Sequence, residues 1–125
     1  HLAARLSSRY AYNGYILIDP TDHISARPDF SLLIYPAYLI DENGNTPDDV
    51  TPHSSQPPIF ITQTKDDHVW CAGGYAKIAI AAGVSVKCAI YETGGHGYGL
   101  RTDSNQPVSN WSKEAEKWLS EIAGA

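Results

Sequence analysis

The chain has 125 residues, enough for one domain's core and no more. It is 42% hydrophobic and 18% charged with a formal net charge of -5, an ordinary soluble balance. Its nine Lys and Arg residues are scattered singly, which argues against a nucleic-acid partner. No apolar run reaches the roughly 18 to 20 residues that a membrane helix needs.

In chain order, Leu2, Ala3, Leu6 and the intervening alanine predict the later turns of a helix, closed by Ser7, Ser8 and Asn13-Gly14. The chain contains no methionine and opens mid-pattern at His1-Leu2-Ala3-Ala4. It is therefore expected to be one half of something larger, with any targeting segment beyond it. Tyr15 to Ile18 is apolar but too short to classify. Phe30 to Tyr35, flanked by Arg27-Pro28 and Pro36, predicts a buried strand.

Residues 41 to 58 are rich in Asn, Asp, Thr, Pro and Gly and predict an irregular surface loop, long enough to form a cover or a binding rim. Ile59 to Thr62 is a second strand, entered through Pro57-Pro58. Tyr75 to Ala82 predicts a helix that starts near Gly73-Gly74 and ends at Gly83. Val84 to Tyr91 is a third strand. Trp111, Ala115, Trp118, Leu119 and Ile122 then fall on one stripe of a closing helix, with Asn110 as its N-cap. This rhythm predicts an α/β fold of about three parallel strands flanked by helices.

Reactive groups on a parallel sheet collect beyond the carboxyl ends of its strands. Two candidates meet that condition. Asp66 follows the second strand, and His96 follows the third within Gly94-Gly95-His96-Gly97-Tyr98-Gly99-Leu100. The residues between them accommodate one helix and one strand, so the two loops are expected side by side. A histidine takes and returns a proton near neutral pH, and a carboxylate holds its ring and steadies the imidazolium. Taken singly, an Asp-Asp pair before a helix is more commonly a cap, and a histidine among glycines could be ligand, catalyst or bystander. Their joint occurrence at successive strand ends favours a catalytic pair. Asp66 is preferred as the acid because it stands nearest the strand end and three residues before Val69, leaving Asp67 as a cap.

Other candidates are weaker. His1, His23, His53 and His68 show no metal-ligand spacing with one another or with cysteine, and no metal or other cofactor is expected. His68 is expected to face solvent. Cys71 and Cys88 form neither a disulfide framework nor a metal motif by spacing; both are expected to be structural or neutral, Cys88 as a small buried strand residue, while Cys71, just after the Asp66 turn, could be partly accessible. Tyr38, Trp70 and Tyr98 could pack in the core or line a rim for sugar stacking.

Taken together, these segments resemble the C-terminal half of an α/β-hydrolase, closest to the branch with acetyl-xylan and feruloyl esterases and related lipase-like esterases. The likeness rests on His1-Leu2-Ala3-Ala4, Arg27-Pro28-Asp29-Phe30, Tyr35-Pro36, Pro57-Pro58, Asp66 to Val69, Ala82-Gly83-Val84, Gly94 to Leu100, and the helix bearing Trp111 and Trp118-Leu119. It covers nearly the whole chain. Gln63-Thr64-Lys65 departs from it, standing where small residues or glycine are usual, as does Gly73-Gly74 where the family is more helical.

The resemblance implies that residues 1–125 are the C-terminal portion of a single α/β-hydrolase domain, with Asp66 as the triad acid and His96 as the base. It places the nucleophile elbow and oxyanion donors upstream of His1. It further implies a serine carboxylic-ester hydrolase acting on small acyl esters, including those of plant polysaccharide, and a secreted or periplasmic setting. The chain alone is then expected to be inactive. With the Phe30 to Tyr35 strand lacking a neighbour and few elements to offset the ordering cost, it is expected to show marginal stability, association, or rescue by its partner, the missing half of the domain. The alternatives are a non-catalytic binding module on the same sheet, or a peptidase or acyltransferase on the same fold.

Overall fold

A computed structural model describes residues 1–101 and 105–124. The elements are α1 (Leu2–Arg9), β1 (Ser31–Ile34), β2 (Ile59–Thr64), α2 (Ala72–Ala81), β3 (Val86–Tyr91) and α3 (Trp111–Ile122), with short 3₁₀ turns at Pro20–His23 and Pro107–Asn110. The strands form one parallel sheet in the order β1-β2-β3, with Leu33 opposite Ile61 and Ile61 opposite Cys88. The expected α/β architecture is present.

All six residues of β2 are buried, as befits a central parallel strand covered on both faces. Its side chains alternate between two cores. Ile59 and Ile61 join Leu33, Ala4, Val50, Tyr75, Ala76 and Ala79 on the side of α1 and α2. Phe60 packs with Ala89, Ala115 and Trp118 on the side of α3, the rings of Phe60 and Trp118 lying 5.8 Å apart. The stripe read from the closing helix is the one that faces the sheet, through Ala115 and Trp118.

Several boundaries move for local reasons. α1 runs through Ser7 and Ser8 instead of ending there, and within the helix their hydroxyls are satisfied by donating back to the carbonyls of Ala3 (2.8 Å) and Ala4 (3.1 Å). α2 begins at Ala72, so Gly73 and Gly74 lie in its first turn. A Cβ at Gly73 would come to 3.0 Å from the Trp70 ring, so a side chain there would have to push the indole aside by a few tenths of an ångström. The helix ends as expected at Gly83, whose φ of 91° allows Gly83 N–H and Val84 N–H to close onto Ile80 and Ala79. Asn110 stands at the N-cap position of α3 but its side chain makes no capping bond. The 15–18 stretch forms no element and stays exposed.

The 41–58 segment is irregular, yet it is not simply a surface loop. Val50 is fully buried, and Tyr75 donates its hydroxyl to the Val50 carbonyl at 3.0 Å. Asp49 and His53 bond to α1 through His1 and the carbonyl of Ser8. Cys71 is buried under the start of α2, as a small apolar residue would be; Cys88 is exposed, against the sequence expectation, because β3 is an edge strand of the described sheet. No helix among the described residues is long and apolar enough to cross a membrane.

Phe60→Ala should therefore lower unfolding stability by about 3–5 kcal/mol, read from the denaturant midpoint, since it empties the contact that docks α3 on the sheet.

Candidate active site

β2 ends at Thr64 and β3 at Tyr91, adjacent strands whose last residues are register partners. The loops that follow leave the same end of the sheet. After β2 the chain turns tightly, with Asp67 N–H on the Thr64 carbonyl (3.2 Å) and Trp70 N–H on the Asp67 carbonyl (3.1 Å). After β3 it enters the glycine segment. Gly94 has φ 147°, and a Cβ there would come to 2.9 Å from both Thr64 and Val108, so only glycine lets the loop pass.

Asp66 and Asp67 point to different partners from this turn. The exposed carboxylate of Asp66 accepts the N–H groups of Gly94 (3.2 Å) and Gly95 (2.9 Å). The Gly95 bond above all holds Asp66 below the usual carboxylate range. Thr64 donates its hydroxyl to the Gly95 carbonyl at 2.9 Å. The glycine loop is thus tied to the end of β2 from both sides.

The next residue meets the histidine. Asp67 Oδ2 lies 2.9 Å from His96 Nδ1, with the carboxylate side chain fully buried and the imidazole 35% exposed. Oδ2 also accepts from the Gln63 amide (2.8 Å), and Oδ1 accepts from Val69 N–H (2.9 Å). Burial works to raise the pKa of Asp67, but the bonds from Val69, Gln63 and His96 prevail and hold it below the ordinary value. A carboxylate can only accept, so the Nδ1 that faces it carries the proton and Nε2 presents its lone pair. Among the described residues Nε2 has no hydrogen-bond partner.

The ring itself is boxed by aromatics. Tyr35 stands edge-on to His96 at 5.2 Å and to the buried Tyr98 at 4.8 Å, and His68 flanks the imidazole at 5.5 Å. Tyr35 has φ 37° at the exit of β1, a conformation that side chains rarely adopt and that turns its ring into this contact. His68 is exposed, as expected, with Nδ1 3.7 Å from Asp67 Oδ1. Tyr98 belongs to the core and not to a rim, while Tyr38 and Trp70 are exposed.

The geometry differs from the contact expected from sequence, in which Asp66 faces His96. The carboxylate that meets His96 belongs to Asp67; Asp66 secures the loop that carries His96. Sequence spacing cannot separate two adjacent acids that a turn sends in different directions. The missed signal was that a buried Asp can bond the amide two residues on and still offer its other oxygen. Asp67 does act as a cap, on Val69, and meets His96 as well. Among the described residues, no group of three or more His, Cys, Asp or Glu side chains is arranged to hold a metal ion.

No protein-family model matches the sequence, and no curated protein sequence does. Solved structures do. An acetyl ester-xyloside bifunctional hydrolase from Caldicellulosiruptor lactoaceticus matches at TM-score 0.79 and 26% identity, over 98% of this chain and 53% of its own. MGS-M1, an alpha/beta hydrolase enzyme from a Medee basin deep-sea metagenome library, matches at TM-score 0.71 and 20% identity, over 100% and 51%. This chain has part of an α/β-hydrolase fold. A carboxylesterase from Lactobacillus plantarum WCFS1 shares that fold at TM-score 0.62 and 19% identity, over 82% of this chain and 47% of its own. The chain spans about half the length of these α/β-hydrolases.

The lowered Asp67 pKa fixes how the site responds to acid. Its contribution to stability is fully present above the unfolded carboxylate value of about 3.9 and is lost as pH falls through the lower folded value. Unfolding free energy should therefore decline below about pH 4. Asp67→Asn should make that decline shallower and cost about 1–3 kcal/mol at neutral pH, where the variant leaves buried donors mismatched. Denaturant melts of both proteins at successive pH values check this.

Proposed function

We propose that Asp67 and His96 are the acid and base of a serine carboxylic-ester hydrolase that works through an acyl-enzyme. The observation that carries the proposal is the buried Asp67 carboxylate 2.9 Å from His96 Nδ1, with Nε2 unpartnered among the described residues at the mouth of two adjacent parallel strands. The ester class draws support from solved structures of the same fold whose own descriptions are of an acetyl ester hydrolase and a carboxylesterase.

In this reading His96 Nε2 takes the proton of a serine hydroxyl as its oxygen attacks the ester carbonyl. The same proton passes to the departing alcohol when the tetrahedral intermediate collapses. Water then attacks the acyl-enzyme, again losing its proton to Nε2, and the acid and free serine are released. Asp67 stays ionised throughout, holding the ring and steadying the imidazolium. The nucleophile and the oxyanion donors are proposed to come from chain outside residues 1–125. Small acyl esters are the proposed substrates, those on plant polysaccharide among them.

The surface of α1 and the edge of β1 fit a role for such a complementing segment. Leu2 and Leu6 on α1 are exposed, as are Ile16 and Ile18 in the stretch that follows it, and among the described residues β1 is paired on one side only. These features would also serve a binding module, which the kinetics below would separate from an enzyme.

The 125-residue chain alone should give no turnover of p-nitrophenyl acetate above buffer. With the upstream coding sequence included, turnover should appear. His96→Ala and Asp67→Asn should then each lower kcat by about 10⁴-fold, and Asp66→Asn by about tenfold or less. Activity indifferent to His96→Ala, or more sensitive to the loss of Asp66 than of Asp67, would overturn the assignment.

A further inference from the structure

We propose that Gln63 is a positioning residue for His96, acting through Asp67 to fix which nitrogen of the ring carries the proton. The inference deepens the reading of Asp67 and His96 given above and rests on it for the name of base. Gln63 belongs to the segment that departs from the hydrolase resemblance.

Gln63 is the penultimate residue of β2 and faces the α1 and α2 side of the sheet, with no exposed surface. Burying a carboxamide this deeply is unfavourable unless its polar atoms are satisfied. Here they are. Nε2 donates to the carbonyl of Pro36 (2.9 Å) and to Asp67 Oδ2 (2.8 Å), with the Val69 carbonyl sharing at 3.2 Å. Oε1 accepts the N–H groups of Cys71 (3.0 Å) and Ala72 (2.9 Å). One side chain thus joins the exit of β1, the acid turn and the first turn of α2.

The partners also fix the orientation of the amide. On one side stand two backbone N–H groups, which only donate; on the other stand two carbonyls and a carboxylate, which only accept. Exchanging oxygen and nitrogen would set like against like at every contact. The amide N–H must therefore point at Asp67 Oδ2.

That bond decides the posture of Asp67. Val69 N–H holds Oδ1 and Gln63 holds Oδ2, so the plane of the carboxylate cannot rotate. Oδ2 is left facing His96 Nδ1 along a 2.9 Å contact. A neutral histidine side chain free in water favours its proton on Nε2. In this site the fixed acceptor reverses the preference, and the Nε2 lone pair is set toward the open side of the loop. Without Gln63 the carboxylate would keep its hold from Val69 alone and could turn Oδ2 away from the ring.

The experiment is long-range ¹H–¹⁵N correlation NMR of the His96 imidazole in the ¹⁵N-labelled 125-residue chain, at about pH 8, where an ordinary histidine is neutral. The wild-type ring should be held as the Nδ1–H tautomer. Gln63→Met, close in shape and without hydrogen-bonding groups, should lower the Nδ1–H to Nε2–H ratio at least fivefold while circular dichroism shows the helices intact. Gln63→Glu provides a second route should the Met variant fail to fold. It keeps the acceptor for Cys71 and Ala72 and donates to Asp67 only while protonated, a form that burial beside the Asp67 carboxylate favours, so its ratio should fall as pH rises and that proton is lost, while the wild type stays constant. A wild-type ring protonated on Nε2, or folded variants that keep the wild-type ratio throughout, would overturn the proposal. The readout needs no turnover. Loss of the tautomer in these variants, with no ester hydrolysis by the longer protein that includes the upstream coding sequence, would sink the reaction and keep the positioning role, and the opposite pair of results would do the reverse.

Discussion

The buried carboxylate of Asp67 is the interaction on which this end of the molecule is organised. An ionised group without exposed surface must gather enough donors to replace water, and three groups converge on it: Val69 N–H, the Gln63 amide and His96 Nδ1. Each comes from a different structural commitment. Val69 requires the tight turn after β2, Gln63 requires the strand register that aims it away from α3, and His96 requires the loop after β3 to come across. Satisfying one charge therefore places the exit of β2, the start of α2 and the glycine loop together.

Asp66 and Asp67 divide two tasks that are commonly assigned to one residue. Asp66 lies in solvent, where its bonds to two loop amides are individually weak, and it ties backbone to backbone across adjacent strand ends. Asp67 lies out of solvent, where the same chemistry is stronger and more exacting. An exposed acid can anchor a loop while tolerating small movements. A buried one cannot shift without abandoning a donor, which suits it to holding an imidazole.

How much of this was legible in the sequence follows from the range of the forces involved. The strands were visible because Phe30 to Tyr35, Ile59 to Thr62 and Val84 to Tyr91 are short apolar runs bounded by turn residues. The closing helix was visible because Trp111, Ala115, Trp118 and Leu119 share one stripe. His96 was singled out by the glycines around it, of which Gly94 is required by its close passage past Thr64 and Val108. What failed depended on contacts between segments. The choice between Asp66 and Asp67 is set by the turn and by Gln63, and neither has a periodic signature. The start of α2 moved forward because Gln63 Oε1 supplies the acceptor that the first amides need. The exposure of Cys88 depended on β3 being an edge, a property of the sheet and not of the strand.

The two ends of the parallel strands are consequently under different constraints. At the carboxyl end, polar side chains close on one another within the described residues, and Asp67 and His96 sit in their shared geometry with no further element. Along the sheet the balance is different: β1 offers an unpaired edge, and α1 keeps Leu2 and Leu6 in water while its other face buries Ala4 and Ser7. Hydrogen bonds of short reach organise the first region; the second depends on apolar area, which is non-directional and needs a partner surface to be removed from water. A pair such as Asp67 and His96 can therefore be fully arranged on a sheet that is still open at its side. The turn, the loop and the helix start that build it all lie around β2, the one strand of the three with both neighbours in place.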